Sequence, residues 1–272
     1  MNLPTEFHDW VRLPPDIKVL CMNKMDFLSR IRMRATSKIE RELVEKVNNN
    51  ILKLSYYAMG NEEPHEDIEI SQDEKYKIIR KNNVHFGEEM MPLMAFLLRT
   101  GTIEYFFAAS FWPFSEMLRT NKKYRIKSLR VDPSNEEGLM IMKGCDEKII
   151  ETVTIHENFK EIPVEEIVAL PSLKSVKTWN LLGVTYPISV LIFIAYWFTI
   201  DVEIGTNLNT QMFGYETFEL ITDFFSQRIE HQTDNKCTIR IDDRKRVTVT
   251  VTIIEVKELI VVEEFIVAEV HL

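Results

Sequence analysis

Residues 126–131 read Ile-Lys-Ser-Leu-Arg-Val, and residues 150–155 read Ile-Glu-Thr-Val-Thr-Ile. Both fit one frame, an apolar residue at the first, fourth and sixth positions: Ile126-x-x-Leu129-x-Val131 and Ile150-x-x-Val153-x-Ile155. The frame continues as Leu173-x-x-Val176-x-Thr178 and Thr199-x-x-Val202-x-Ile204, so the fourth-position anchors 129, 153, 176 and 202 lie 24, 23 and 26 residues apart. A unit repeating every 20–29 residues or so is a short strand followed by a helical return. A degenerate earlier unit sits at Ile103-Glu104-Tyr105, 26 residues before Leu129. Side chains alternate along a strand, so the residues between the anchors face away from the core. On this frame they are Ser128 and Arg130, Thr152 and Thr154, Ser175 and Lys177, and Asp201 and Glu203, a polar surface read equally as a face that binds a target protein or as an ordinary solvated sheet face.

Between the anchors, residues 110–120, 135–144, 163–170 and 186–196 have helical character, with Pro113, Pro163 and Pro187 near their starts, where a missing N–H costs least. The expected fold is therefore α+β or an α/β repeat: a leucine-rich-repeat-like arc, strands inside and helices outside, over residues 85–272. Asn158 and Asn207 fall where a repeat asparagine would bond the turn backbone. Farther on, Phe218, Ile221, Phe225 and Ile229 mark a helix over residues 216–230. Thr238-x-Arg240 and Val247-x-Val249-x-Val251 then alternate around Asp242-Asp243-Arg244-Lys245, a hairpin that would cap the array. An ordinary α+β domain with coincidental spacing stays open beside the arc.

Upstream, residues 60–75 read GNEEPHEDIEISQDEK, with seven carboxylates against one lysine and Gly60 and Pro64 as breakers. The composition predicts a solvated acidic linker. Ahead of it, residues 10–56 have helical patterning. Leu13-Pro14-Pro15-Asp16 is an extended lead-in followed by a good helix start. Ile17, Leu20 and Cys21 share one face; Asp26 opens a second helix carrying Leu28 and Ile31. Ile39, Leu43, Val47, Ile51 and Leu54 predict a third, amphipathic helix. Lys18, Lys24, Arg30, Arg32, Arg34, Lys38 and Arg41 are interleaved with glutamates and read as a solvated face.

Leu13-Pro14-x-Asp16-Ile17, then Met25-Asp26-Phe27-Leu28-Ser29-Arg30, then Met33-Arg34-x-x-Ser37-Lys38, resembles an F-box of the expanded nematode type. The resemblance implies a three-helix module that docks on a Skp-type adaptor, and through it on a cullin, with Leu13, Pro14, Ile17, Leu20, Met25, Leu28 and Ile31 forming the contact surface. Residues 165–174, Glu-Glu-Ile-Val-Ala-Leu-Pro-Ser-Leu-Lys, with Lys177, Trp179 and the Ile188–Ile204 run, resemble the FTH region that follows F-boxes in such proteins. Together they imply a substrate-recognition adaptor of a ubiquitin ligase, with no catalytic residues of its own.

The rest of the sequence argues against other classes. The 272 residues carry 33 basic and 42 acidic side chains, net charge -9, which gives no chain-wide footprint for nucleic acid. Eight glycines are few for a chain built on phosphate-cradling loops. Cys21, Cys145 and Cys237 form no paired motif, and the six histidines are dispersed, so neither a metal site nor another cofactor is expected. His85 with Glu88 and Glu89 is read as an exposed polar turn, and Arg119 to Arg130 as a solvated basic edge. The longest apolar run, Ile188–Ile200, is too short to span a membrane. With no secretory signal, the expected location is cytoplasmic or nuclear. A repeat-based scaffold or sensor uncoupled from a ligase, and an enzyme assembled from distant residues, remain as alternatives.

Overall fold

The computed structural model describes residues 10–59, 65–72, 75–82, 90–108, 122–133, 136–156, 164–182, 187–200, 202–212, 216–254 and 260–269. Three helices come first: α1 (Pro15–Lys24), α2 (Phe27–Arg34) and α3 (Lys38–Val44). The expected third-helix stripe ends at Val44, because Asn48, Asn49 and Asn50 follow, side chains that compete with helical backbone bonding. Ile51 and Leu54 belong instead to strand β1 (Asn49–Met59), and Ile39 faces solvent.

The acidic segment is a second correction. Residues 65–72 form strand β2 (His65–Gln72), antiparallel to β1 and to β3 (Lys75–Asn82). Composition hid a period of two in Asp67-Ile68-Glu69-Ile70, whose isoleucines are buried. The register sets Glu66 opposite Lys81 and Asp67 opposite Arg80, so an acidic strand lies beside a basic one.

Helix α4 (Met91–Thr100) then leads into β4 (Gly101–Ala108), which runs parallel to β1. The chain continues through β5 (Arg125–Val131), α5 (Glu136–Gly144), β6 (Thr152–His156), α6 (Val164–Val168), β7 (Thr178–Leu182), α7 (Pro187–Trp197) and β8 (Asn207–Met212). Three of the expected helical segments are thus present within a residue or two, while residues 110–120 lie outside the described set. After α8 (Glu216–Phe224) come β9 (Ile229–Gln232), β10 (Lys236–Arg240), β11 (Lys245–Ile254) and β12 (Ile260–Glu269). The helix expected over residues 216–230 is shorter, since Ile229 already belongs to a strand. All twelve strands share one sheet, ordered β3-β2-β1-β4-β5-β6-β7-β8-β12-β11-β10-β9. The predicted hairpin is β10–β11, with Thr238 opposite Thr248. It does not close the array itself, because β12 is inserted between β8 and β11 and pairs antiparallel with β8.

From β4 to β8 the strands are parallel and follow chain order, each buried side chain stacking on its neighbour's. One ladder runs Leu54, Phe106, Leu129, Val153, Trp179, Leu208, all buried, with 23, 24, 26 and 29 residues between successive members from Phe106 onward. The first two expected frames are correct. The third shifts by three residues to Val176-x-x-Trp179-x-Leu181, because the 3-10 turn Pro171–Leu173 uses Leu173 as a turn residue beneath the core. The fourth shifts by six, since Val202 is buried in the turn before β8 and Leu208 is the true anchor. Trp179 meets Phe193 of α7 edge-on, with ring centroids 5.2 Å apart. The core is continuous: Met22, Phe27, Leu43 and Val44 of the helices cluster with Ile51, Leu54 and Met94.

Candidate functional site

The helices at the front carry an inverted pattern. Pro14 is extended, Pro15 takes the first helical position and Asp16 sits in the first turn, so α1 starts as its sequence dictates. Its inward residues are Met22 and a lysine, Lys18, both buried. Its outward stripe is apolar: Ile17 is 42% exposed and Leu20 60%. Pro14 is exposed beside them and Leu13 half-buried. Val11, 84% exposed, and Ile39, 64% exposed, add apolar area on the same three-helix unit. Of the other expected contact residues, Met25 and Ile31 are half-buried and pack on the core. The side chain of Leu28 lies outside the described set.

Lys18 is held inside by Glu40. Its Nζ donates to Glu40 Oε1 at 2.9 Å, and Trp10 Nε1 donates to the same oxygen at 3.1 Å. Ser37 caps α3, accepting from the Glu40 backbone N–H at 3.2 Å, while its hydroxyl donates to Glu40 Oε2. Ser37-x-x-Glu40 is a capping-box pair whose carboxylate turns to tie α3 to α1. The Ser37 hydroxyl, then the Lys18 ammonium, hold the Glu40 carboxyl down to about 2, against the opposing effect of burial.

A second set of bonds fastens the helices to the sheet. Arg30, buried, donates from Nη1 to Asn49 Oδ1 at 2.8 Å, and Asn49 Nδ2 donates to Thr100 Oγ1 at the end of α4 at 3.1 Å. Arg34 lies over the Phe96 ring of α4, 4.6 Å from its centroid, and pairs with Glu45 at 3.3 Å. The expected solvated basic face is therefore wrong for Lys18 and Arg30. Nothing in the charge pattern marked them. The one usable signal was the Ser37-x-x-Glu40 cap, which requires a partner for its carboxylate.

The polar side of the sheet has three rows. The first is charged: Glu104, Lys127, Glu151 and Lys177, with Lys127 3.4 Å from Glu104 and 4.0 Å from Glu151. The second runs Tyr105, Ser128, Thr152, Thr178, Asn207. The third runs Phe107, Arg130, Thr154, Asn180, Asn209. In that row Asn209 Nδ2 donates to Asn180 Oδ1 at 2.9 Å, and Asn180 Nδ2 donates to Thr154 Oγ1 at 3.1 Å. The Arg130 guanidinium stacks over Phe107.

Ser128, Arg130, Thr152 and Thr154 thus share the predicted face, although Thr154 is largely buried within it. Ser175 and Lys177 precede β7, and Ser175 donates to the Glu147 carbonyl instead. Their places in the second and third rows are taken by Thr178 and Asn180, while Lys177 follows Glu151 in the first. Glu203 sits in the turn before β8, its place taken by Asn207 and Asn209, and Asp201 lies outside the described residues. Asn207 is a strand residue, not a turn-bonding repeat asparagine, and its buried Oδ1 meets no donor. Asn158, His85, Glu88 and Glu89 also lie outside the described set.

Other features bear on chemistry only lightly. Cys145 and Cys237 are buried, and desolvation pushes their thiols up to about 12 and about 11. Among the described residues, no group of three or more His, Cys, Asp or Glu side chains is placed to hold a metal ion. No helix among them is long and apolar enough to cross a membrane.

Residues 10–52 match the family model of the F-box domain. Among curated proteins, none matches the chain. The matched segment contains α1, α2 and α3, the Glu40 junction and the first residues of β1.

Proposed function

We propose that this protein is the substrate-recognition adaptor of an SCF-type ubiquitin ligase. The F-box domain at residues 10–52 supports that general role. The observation that carries the finer reading is the inverted α1: a helix that buries a lysine and leaves Ile17 and Leu20 in water has its apolar stripe free for a partner. In this reading Leu13, Pro14, Ile17 and Leu20, joined by Val11 and Ile39, dock on a Skp-type adaptor that links the chain to a cullin. The strand–helix region is the inner-faced arc of an FTH-like, nematode-type domain and presents its polar rows to a target protein. Ubiquitin transfer belongs to other subunits, in the cytoplasm or nucleus.

Co-purification with a purified Skp-type adaptor tests this. The wild-type chain is retained, and Ile17→Ala combined with Leu20→Ala abolishes retention while leaving the melting profile unchanged. Equal retention of the double variant, or no retention of wild type, removes the adaptor reading.

A further inference from the structure

We propose that Arg130 is the centre of a binding site for an acidic side chain, Asp or Glu, carried on an extended segment of the target protein lying across β4 to β8. The inference rests on reading this face as the target-binding surface, and it adds the chemistry of what binds there.

The site is built around a held guanidinium. Arg130 lies 4.9 Å from the Phe107 ring centroid, and Phe107 meets Tyr57 edge-on with centroids 5.4 Å apart. A planar cation on an aromatic ring is fixed in orientation before any ligand arrives, so little freedom is lost on binding. Yet no carboxylate lies within ion-pair range of Arg130 among the described residues, and its buried Nε meets no acceptor. Its neighbours are settled differently. In the adjacent row Lys127 already lies between Glu104 and Glu151. On the other side Thr154, Asn180 and Asn209 are uncharged and tied to one another.

Each of those two amides uses only part of its bonding capacity in the row. Asn180 and Asn209 each retain an N–H and acceptor lone pairs, the complement of a peptide backbone. The face thus offers neutral, backbone-matching groups over three strands and, on β5, a guanidinium with no carboxylate partner among the described residues. Charge complementarity at that single point sets which residue of the segment must be acidic. Tyr57, Tyr105 and Arg130 are of residue types enriched among those that dominate binding energy at protein interfaces. A polyanion such as nucleic acid is disfavoured, because Glu104 and Glu151 would meet its phosphates.

The test uses the full chain and short peptides blocked at both ends. Their central residue is Glu, Gln or Lys, and all other positions are randomised over uncharged residues. By fluorescence anisotropy, the Glu-centred pool binds roughly tenfold more tightly than the Gln-centred pool, the margin of a charge-assisted bidentate bond. Arg130→Gln removes that preference, Arg125→Gln at the exposed start of β5 preserves it, and Asn180→Ala weakens both pools alike. Arg130→Lys, which keeps charge without the planar fork, retains part of the preference and covers the case in which Arg130→Gln unfolds. Equal affinity for Glu and Gln pools, an undiminished preference in Arg130→Gln, or no binding of any pool overturns the proposal. Capture by a Skp-type adaptor is measured on the same preparations: loss of capture with an intact Glu preference sinks the ligase reading and leaves this site standing.

Discussion

In α1 the charged Lys18 is buried while Ile17 and Leu20 face water; on the sheet Leu129 and Val153 are buried while Ser128 and Thr152 face outward. The two regions belong to one hydrophobic cluster, yet they are held by different forces. The sheet rests on stacked apolar side chains, whose burial contributes in proportion to area. The helices rest on a carboxylate hub, Glu40, that gathers Lys18, Trp10 and Ser37. A buried ion pair adds little net stability over an apolar packing of the same volume, but removing one partner is costly. The helical unit is therefore specified by geometry more than by core size, and its outer surface is free to be apolar. The sheet has spent most of its apolar residues inside, and its three outward rows from β5 to β8 offer amides, hydroxyls and charges.

The largest effect is expected at the sheet's own anchor. Trp179→Ala removes the indole that meets Phe193 edge-on and should cost about 4 kcal/mol in urea unfolding, the usual range for a buried large aromatic. Glu40→Ala strands the Lys18 ammonium and should cost about 3 kcal/mol. Hydrogen exchange sharpens the comparison: amides of α1 and α3 lose protection in Glu40→Ala while β5 to β7 keep theirs. If the sheet loses protection to the same extent, the two regions form a single cooperative unit and the distinction fails.

Acid probes the same hub. The Glu40 carboxyl titrates lower in the folded protein than its ordinary 4.5, at about 2. Its contribution is therefore complete above the ordinary value and is lost as pH falls from there toward 2. Over that window the helices should loosen in wild type with a pH dependence that Glu40→Gln flattens, read by the fluorescence of Trp10. Asn180→Ala breaks two bonds of the amide row and should cost about 1 kcal/mol in thermal unfolding, because water reaches part of the row. Smallest is Ile17→Ala with Leu20→Ala, within about 0.5 kcal/mol for the isolated chain, since the stripe is already in water. A larger loss would mean that the stripe is packed within the chain and is not free.

The sheet was legible where its period was strict. Ile126-x-x-Leu129-x-Val131 and Ile150-x-x-Val153-x-Ile155 placed β5 and β6 and, with them, four of the eight face residues. The frame then failed at Leu173 and Val202, apolar residues buried in turns, which periodicity alone cannot tell from strand residues. The acidic stretch failed for a related reason. Its charges were counted as composition, and the alternation of Ile68 and Ile70 among them, which makes β2 half-buried, carried the structural information. At the helices the F-box motif was legible, and so was the face that Ile17, Leu20 and Cys21 share, though not that it points outward. The burial of Lys18 was not, because it depends on Glu40, twenty-two residues away and on another helix.

The turn between α3 and β1 spans only residues 45–48, and Arg30, Asn49 and Thr100 lock across it. On the adaptor reading this makes the chain a fixed-length strut. A flexible tether spreads a captured target over a broad volume and dilutes it everywhere; a strut concentrates it in a small one. Effective concentration at a distant reaction centre is then high for the few target lysines that fall within that volume and negligible for the others. Selectivity among lysines would be set by the stiffness of four residues.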